Sequence, residues 1–211
     1  MRELRPGLFH WTTFHEGIRA PVSSYYVEPA GALIDARVPD EGIEAAFSDR
    51  ATPQQAIATI GLHMRHADRF AEAFGCSVRA PAEARDRLGD QANFEPYDDG
   101  DEVAPGITAI QIGVICPDEY ALHIAHGAGA ISFADGLIHY GDALGFVPDG
   151  LLGDDAEAIK AGLKDAFRGL LERDFDDLLF AHGEPLVGGG QAALREFLER
   201  PVGEEESGEA L

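Results

Sequence analysis

Four apolar, strand-like runs in this chain lead straight into ionisable residues. Residues 32–34 run into Asp35, and residues 56–62 into the cluster His63-Met64-Arg65-His66-Ala67-Asp68. Residues 137–140 run into Gly141-Asp142, and residues 176–181 into His182-Gly183. Segments of helical period lie between and after them. Ala67, Phe70, Ala71 and Phe74 share one face and stop at Gly75. Ile159, Leu163, Phe167, Leu170 and Leu171 form a stripe within 154–171, opened by Asp154 with Glu157 three residues on. Leu194, Phe197 and Leu198 mark a last helix over 191–200, closed by Pro201. Strands mixed with helices in this way build layered α/β folds. Their strand ends gather on one edge of the sheets, and ligands favour that edge.

Further strands are expected at residues 7–15, 22–28, 77–80, 108–114, 119–125 and 129–134, and a short helix at 81–88. Ala134-Asp135-Gly136 carries the Asp-Gly signal of a tight hairpin joining 129–134 to 137–140. Residues 36–52 and 90–106 read as polar connections. Asp98-Asp99-Gly100-Asp101 lacks the twelve-residue frame of a calcium loop. The layout has two comparable halves, each with strands first and helices after. A chain of 211 residues fits one domain. It is expected over 1–200, with an acidic, disordered tail at 201–211.

Charge narrows the partners. The sequence holds 38 acidic and 16 basic residues, a formal net charge of −22, and Lys160 and Lys164 are its only lysines. Such a field repels phosphate backbones and anionic bilayers, which argues against nucleic-acid and membrane partners. Acidic excess with scarce lysine suits a high-salt cytoplasm, where screening removes self-repulsion, so the fold is expected to weaken in low salt. There is no long apolar run and no secretory signal at the N-terminus, and a cytoplasmic protein is expected. Cys76 and Cys116 read as reduced thiols rather than a disulfide framework.

Aspartate and histidine are ligands suited to zinc, iron or manganese. Taken singly, each has an ordinary structural reading. Their order along the chain is similar to that in the metallo-β-lactamase-fold superfamily, which includes glyoxalase II and many small hydrolases. SSYYVEPAGALIDAR resembles the opening hairpin that ends in an aspartate. AIATIGLHMRHADRFAEAFGCSVRAPAEARDRL falls where the family has its histidine-rich metal loop, a helix and the next strand. GLIHYGDAL resembles a strand ending in Gly-Asp, and LLFAHGEPLVGGGQAALREFL the closing strand, His-Gly and helix. The resemblance spans about residues 7–199. It implies an αββα sandwich, two mixed sheets face to face with helices outside, and a site on one edge.

The departures bear on function. With the family's Thr-His-x-His-x-Asp-His loop set on Thr59, Ile60 and Leu62 replace two histidines, Met64 the aspartate and Arg65 the last histidine. Val114 falls where a further histidine belongs. Asp142 and His182 carry over directly, Asp142 as the bridging and catalytic aspartate. Two ligands alone do not hold a catalytic ion.

Two readings follow. In one the loop has shifted, and His63, His66 and Asp68 join Asp142 and His182 around zinc, iron or manganese to hydrolyse a small ester or thioester. In the other the metal is lost and Arg65 pairs with Asp142 in its place, leaving a non-catalytic binding or scaffold module. The partner is a small molecule in either case, and a homo-oligomer is open. His123, His126, His139, Cys116, Ser23 and the Gly188–Gly190 turn read as structural.

Overall fold

The computed structural model describes residues 1–89, 92–141 and 143–203. Its first sheet has seven strands in chain order: β1 (Arg2–Arg5), β2 (Leu8–His15), β3 (Ala20–Val27), β4 (Ala32–Ile34), β5 (Gln55–Ile57), β6 (Ser77–Pro81) and β7 (Glu95–Tyr97). β1 to β4 are antiparallel; β4 to β7 are parallel. Parallel neighbours need crossovers. These carry α1 (Ile43–Phe47), α2 (Ala67–Phe74) and α3 (Ala84–Leu88). The second sheet contains β8 (Glu102–Ala104), β9 (Ile107–Gln111), β10 (Tyr120–Ile124) and β11 (Ala130–Phe133). A separate pair follows, β12 (Ile138–Tyr140) with β13 (Ala143–Gly145). After α4 (Ala156–Arg168), β14 (Asp177–Phe180) joins the second sheet beside β11, giving the order β14-β11-β10-β9-β8, and α5 (Gly190–Glu199) closes the fold.

Side-chain alternation along the strands sorts these elements into four layers. Tyr25, Ile34, Ile57, Ile107, Leu122 and Leu179 meet between the sheets. Their neighbours Tyr26, Leu33 and Ala56 face the other way and pack on Phe47 of α1 and Phe70 of α2. On the far side, Ile131, Phe133, Leu178 and Phe180 pack on Leu163 and Phe167 of α4 and on Leu194 and Phe197 of α5. This is the αββα sandwich. Tyr25 pins the sheets together: its hydroxyl donates to Phe180 O (2.9 Å) and accepts from Phe180 N (3.0 Å). No helix among the described residues is long and apolar enough to cross a membrane.

Three local readings change. The Asp-Gly at 135–136 does not form a hairpin: β11 pairs with β10 and, in parallel, with β14, while β12 pairs with β13. The run at 56–62 leaves the ladder after Ile57 and tightens into a 3₁₀ turn at Gly61–Met64. The polar stretch 90–106 contains β7 and β8, and 36–52 contains α1. β7 is an edge strand, where Pro96 leaves no ladder donor missing.

One buried contact gives a pH prediction. Ser23 Oγ donates to Gly183 O (2.9 Å), so it accepts from His10 Nε2 at 3.0 Å, and the imidazole is neutral. Burial lowers the His10 pKa to about 4. The unfolded chain binds this proton near pH 6.5, so His10 removes stability as pH falls from about 6.5 toward 4. Urea unfolding at pH 7 and pH 5 is expected to show about 1–2 kcal/mol more loss in the wild type than in His10→Gln. Equal losses would exclude the assignment.

Candidate metal centre

The centre is assembled from the ends of both sheets. Asp35 follows β4 with a left-handed backbone (φ 47°) and is buried. Thr59, just beyond β5, holds it with two donors: Thr59 N to Oδ1 at 2.8 Å and Thr59 Oγ1 to Oδ2 at 2.7 Å. Asp35 Oδ2 then accepts from His63 Nδ1 at 3.0 Å. His63 sits in the 3₁₀ turn, and this contact fixes its ring with Nε2 turned to Asp135 Oδ1, 3.3 Å away. Asp135 lies two residues past β11 and His182 two past β14. Because those strands are parallel neighbours, both leave on the same edge. His182 Nε2 is 3.2 Å from the same Oδ1. One donor atom each from His63, Asp135 and His182 thus lies within 4.8 Å of the others, the only such group of His, Cys, Asp and Glu among the described residues.

Arg65 adds a fixed cation. Its backbone is strained for a non-glycine residue (φ 42°, ψ −111°). Its Nη1 donates to Ser23 O and Asp35 O, while Nη2 is buried without a partner. Burial and Arg65 push the His63 pKa down, but Asp135 and Asp35 outweigh them and hold it at about 9. Burial opposes ionisation of Asp135, yet the two imidazoles hold its pKa well below the usual carboxylate range.

The donor set fits one divalent ion. Asp135 Oδ1 is buried and no hydrogen bond reaches it, although two imidazole nitrogens stand 3.2–3.3 Å away. Its close contacts are the imidazole nitrogens of His63 and His182, and a cation shared by the three groups would serve the buried carboxylate oxygen. Two imidazole nitrogens and one carboxylate oxygen suit zinc, iron or manganese and leave positions open. Asp35 on His63 Nδ1 would serve as the outer carboxylate that orients a histidine ligand. Asp35→Asn keeps the shape but weakens that orientation, and is expected to lower zinc affinity about 10–100-fold in a competition titration with a chelator. Unchanged affinity would remove Asp35 from the centre.

Of the residues marked out in the sequence, the structure brings together His63 and His182. His66 and Asp68 lie apart from them. His66 Nδ1 accepts from Val38 N at 2.9 Å, and Asp68, exposed at the start of α2, accepts from Arg69 N. Spacing of three shares a face only in a continuous helix, and the positive φ of Arg65 breaks the chain between His63 and His66. Asp142 lies outside the described residues, and with it the Arg65–Asp142 pair and its bridging role. Among the described residues, Arg65 Nη1 donates to two backbone carbonyls. Asp135 is the residue sequence reasoning missed. The signal was present: 129–134 is another apolar run that leads into an aspartate.

The remaining candidates have structural partners. His123, His126 and His139 each meet a backbone carbonyl. Burial pushes the Cys116 thiol up to about 12, which disfavours a free thiolate nucleophile there. The amides of Gly188 and Gly189 point at Asp177 and Asp176, which leaves no cradle for phosphate.

Comparison with known proteins places this geometry. No protein-family model matches the sequence, and no curated protein matches it. Solved structures do. A metallo-β-lactamase family protein from Thermus thermophilus superposes with a TM-score of 0.65 at 15% identity, covering 93% of this chain and 79% of that one. A metallo-β-lactamase from Erythrobacter litoralis gives 0.62 at 13% identity, covering 94% and 95%.

The chain has the metallo-β-lactamase fold.

The fold does not decide the chemistry. A rubredoxin oxygen:oxidoreductase from Desulfovibrio gigas shares the metallo-β-lactamase fold as well, with a TM-score of 0.62 at 11% identity; the match covers 94% of this chain and 60% of that one. What this member of the fold does has to be argued from its own residues.

Proposed function

We propose that the protein is a metal-dependent hydrolase of a small ester or thioester, built on a single-ion centre held by His63, Asp135 and His182. The observation that carries this reading is the Asp135 carboxylate oxygen, buried, without a hydrogen bond and faced by two imidazole nitrogens. When bound, a divalent ion supplies Lewis acidity toward a carbonyl oxygen and acidifies water. The chain's own groups do the rest. Thr59 holds Asp35, and Asp35 holds the Nδ1 proton of His63, so that Nε2 is left as a donor toward the cleft. Arg65 places a cation beside Asp35 and Asp135. The cleft above them, about 550 Å³, is lined largely by apolar groups.

One specific observation favours a second reading. His63 lies 3.0 Å from Asp35 and 3.3 Å from Asp135, and with Arg65 beside them two cationic side chains face two carboxylates, a balance that needs no metal and would make the protein a binding module. Elemental analysis of protein purified in high salt without chelator separates the two. About one equivalent of zinc, iron or manganese per chain, lost in His182→Ala together with ester hydrolysis, is the result expected for the hydrolase. No metal after incubation with zinc and manganese, and no hydrolysis, would leave the binding module.

A further inference from the structure

We infer that Arg65 is a substrate-binding residue and that the cleft takes an amphiphilic acyl compound. In this arrangement the free Nη2 of Arg65 donates to the acyl oxygen, and the apolar chain lies against Ile18, Leu62 and Leu151. This deepens the hydrolase reading and rests on it for the acyl chemistry.

Three observations carry the assignment. The first is the guanidinium itself. Arg65 lines the cleft together with His63, Asp135 and His182. Two backbone carbonyls hold Nη1 while Nη2 is buried with no partner among the described residues. A buried N–H donor is seldom left unmade, so a group entering the cleft is its natural acceptor. The other arginine of the cleft, Arg87, is already committed, with Nε 3.3 Å from Asp118 Oδ2. The second is strain. Arg65 holds a sparsely populated backbone conformation, and such residues persist where the surroundings fix a side chain for a purpose. The third is the mouth. Five large hydrophobic side chains are exposed among the described residues, and three of them line this cleft: Ile18 (40%), Leu62 (58%) and Leu151 (60%). They come from three separate segments, the β2–β3 turn, the 3₁₀ turn before α2 and the 3₁₀ turn at Asp149–Leu151. Scattered apolar residues need no explanation, but three converging on one cleft above a polar floor select a ligand that is polar at one end and apolar at the other.

Hydrolysis of an acyl ester releases a carboxylate, so carboxylates probe the same contacts without turnover. The experiment is calorimetric titration of the full chain with acetate, butyrate and octanoate, with metal content measured on every sample. Octanoate is expected to bind at least about tenfold more tightly than acetate, since each methylene placed in an apolar pocket adds affinity. Arg65→Gln is expected to weaken all three by about tenfold or more, the loss of a charge-assisted hydrogen bond. Leu62→Ser is expected to weaken octanoate alone. Leu62→Ser touches no group of the centre, so its metal content should not change, and affinities of Arg65→Gln are compared at matched metal content.

Equal affinity for acetate and octanoate, or wild-type binding in Arg65→Gln, would overturn the inference. Arg65 also ties the Ser23 and Asp35 carbonyls; if Arg65→Gln does not fold, Arg65→Lys carries the test. A lysine keeps the charge but loses the planar fork that places one nitrogen on the two carbonyls and the other toward the cleft. Uniformly weakened binding in that variant supports the assignment, and wild-type binding overturns it. The outcomes are separable from those for the centre. Chain-length-dependent binding in a metal-free protein sinks the hydrolase and keeps the ligand class, whereas stoichiometric metal with no octanoate preference does the reverse.

Discussion

Asp135→Ala is expected to reduce bound metal from about one equivalent to none and to abolish hydrolysis of any ester the wild type turns over. The reason is arithmetic in ligands. The trio supplies three donors, and two do not hold a catalytic ion against water. The fold should survive. Asp135 sits in a connection rather than a ladder, and the contacts of its Oδ1 are with the imidazoles of His63 and His182 rather than with the backbone of either sheet. Asp135→Asn is the stricter test because it preserves shape and removes the charge. It too should lose metal, with circular dichroism and the unfolding midpoint close to wild type. Stoichiometric zinc in Asp135→Asn would show that the ion, if there is one, lies elsewhere.

The second large effect falls on the neighbouring backbone. Gly183 has φ 98°, a region closed to side-chain-bearing residues, and a Cβ built there would lie 1.7 Å from His139 O and 2.6 Å from His139 C. Those are backbone atoms and cannot swing away. β12 meets the end of β14 at this point: His139 and Gly183 form a parallel bridge, and His139 N donates to His182 O at 3.3 Å. Gly183→Ala must therefore pry two segments apart, and a loss of about 4 kcal/mol or more is expected in denaturant unfolding. Gly150→Ala is the control. Nothing lies within 4 Å of a Cβ placed there, and the stability should change by no more than about 0.5 kcal/mol. A loss under about 1 kcal/mol in Gly183→Ala would mean the strand end is far softer than its contacts imply. Because Gly183 follows His182, any accommodation also moves a ligand ring, so the variant should bind metal weakly even where it folds.

Much of the architecture could be read from the chain. The stripe Ile159, Leu163, Phe167 announced α4, and the spacing of Ala67 and Phe70 with Gly75 announced α2, because helical period and glycine stops are local signals. β7 and β8 were hidden, since three-residue edge strands in a polar stretch carry almost no periodicity. The site was legible in kind but not in its members. His63 and His182 stood at strand ends. Asp135 was masked by its own neighbour: Asp-Gly is a strong hairpin signal, and only the parallel pairing of β11 with β14 shows that the chain does not turn back there. His66 looked like a partner of His63 because spacing presumes a continuous helix, and sequence gives no warning that Arg65 adopts a positive φ. The role of Thr59 was equally invisible, since a hydroxyl serving a carboxylate 24 residues away is a tertiary fact.

The seam between the two sheets also has a mechanical side. Asp35 and His63 hang from the first sheet, Asp135 and His182 from the second, and the contacts between them span both. An ion shared across that seam would act as a rivet: it would tie neither sheet internally but would resist their sliding past each other. Its removal would leave each half folded and loosen the hinge line between them, and its affinity becomes a gauge of how well the halves are docked. Damage far from the cleft, in either sheet, would then register first as weaker metal retention and only later as unfolding.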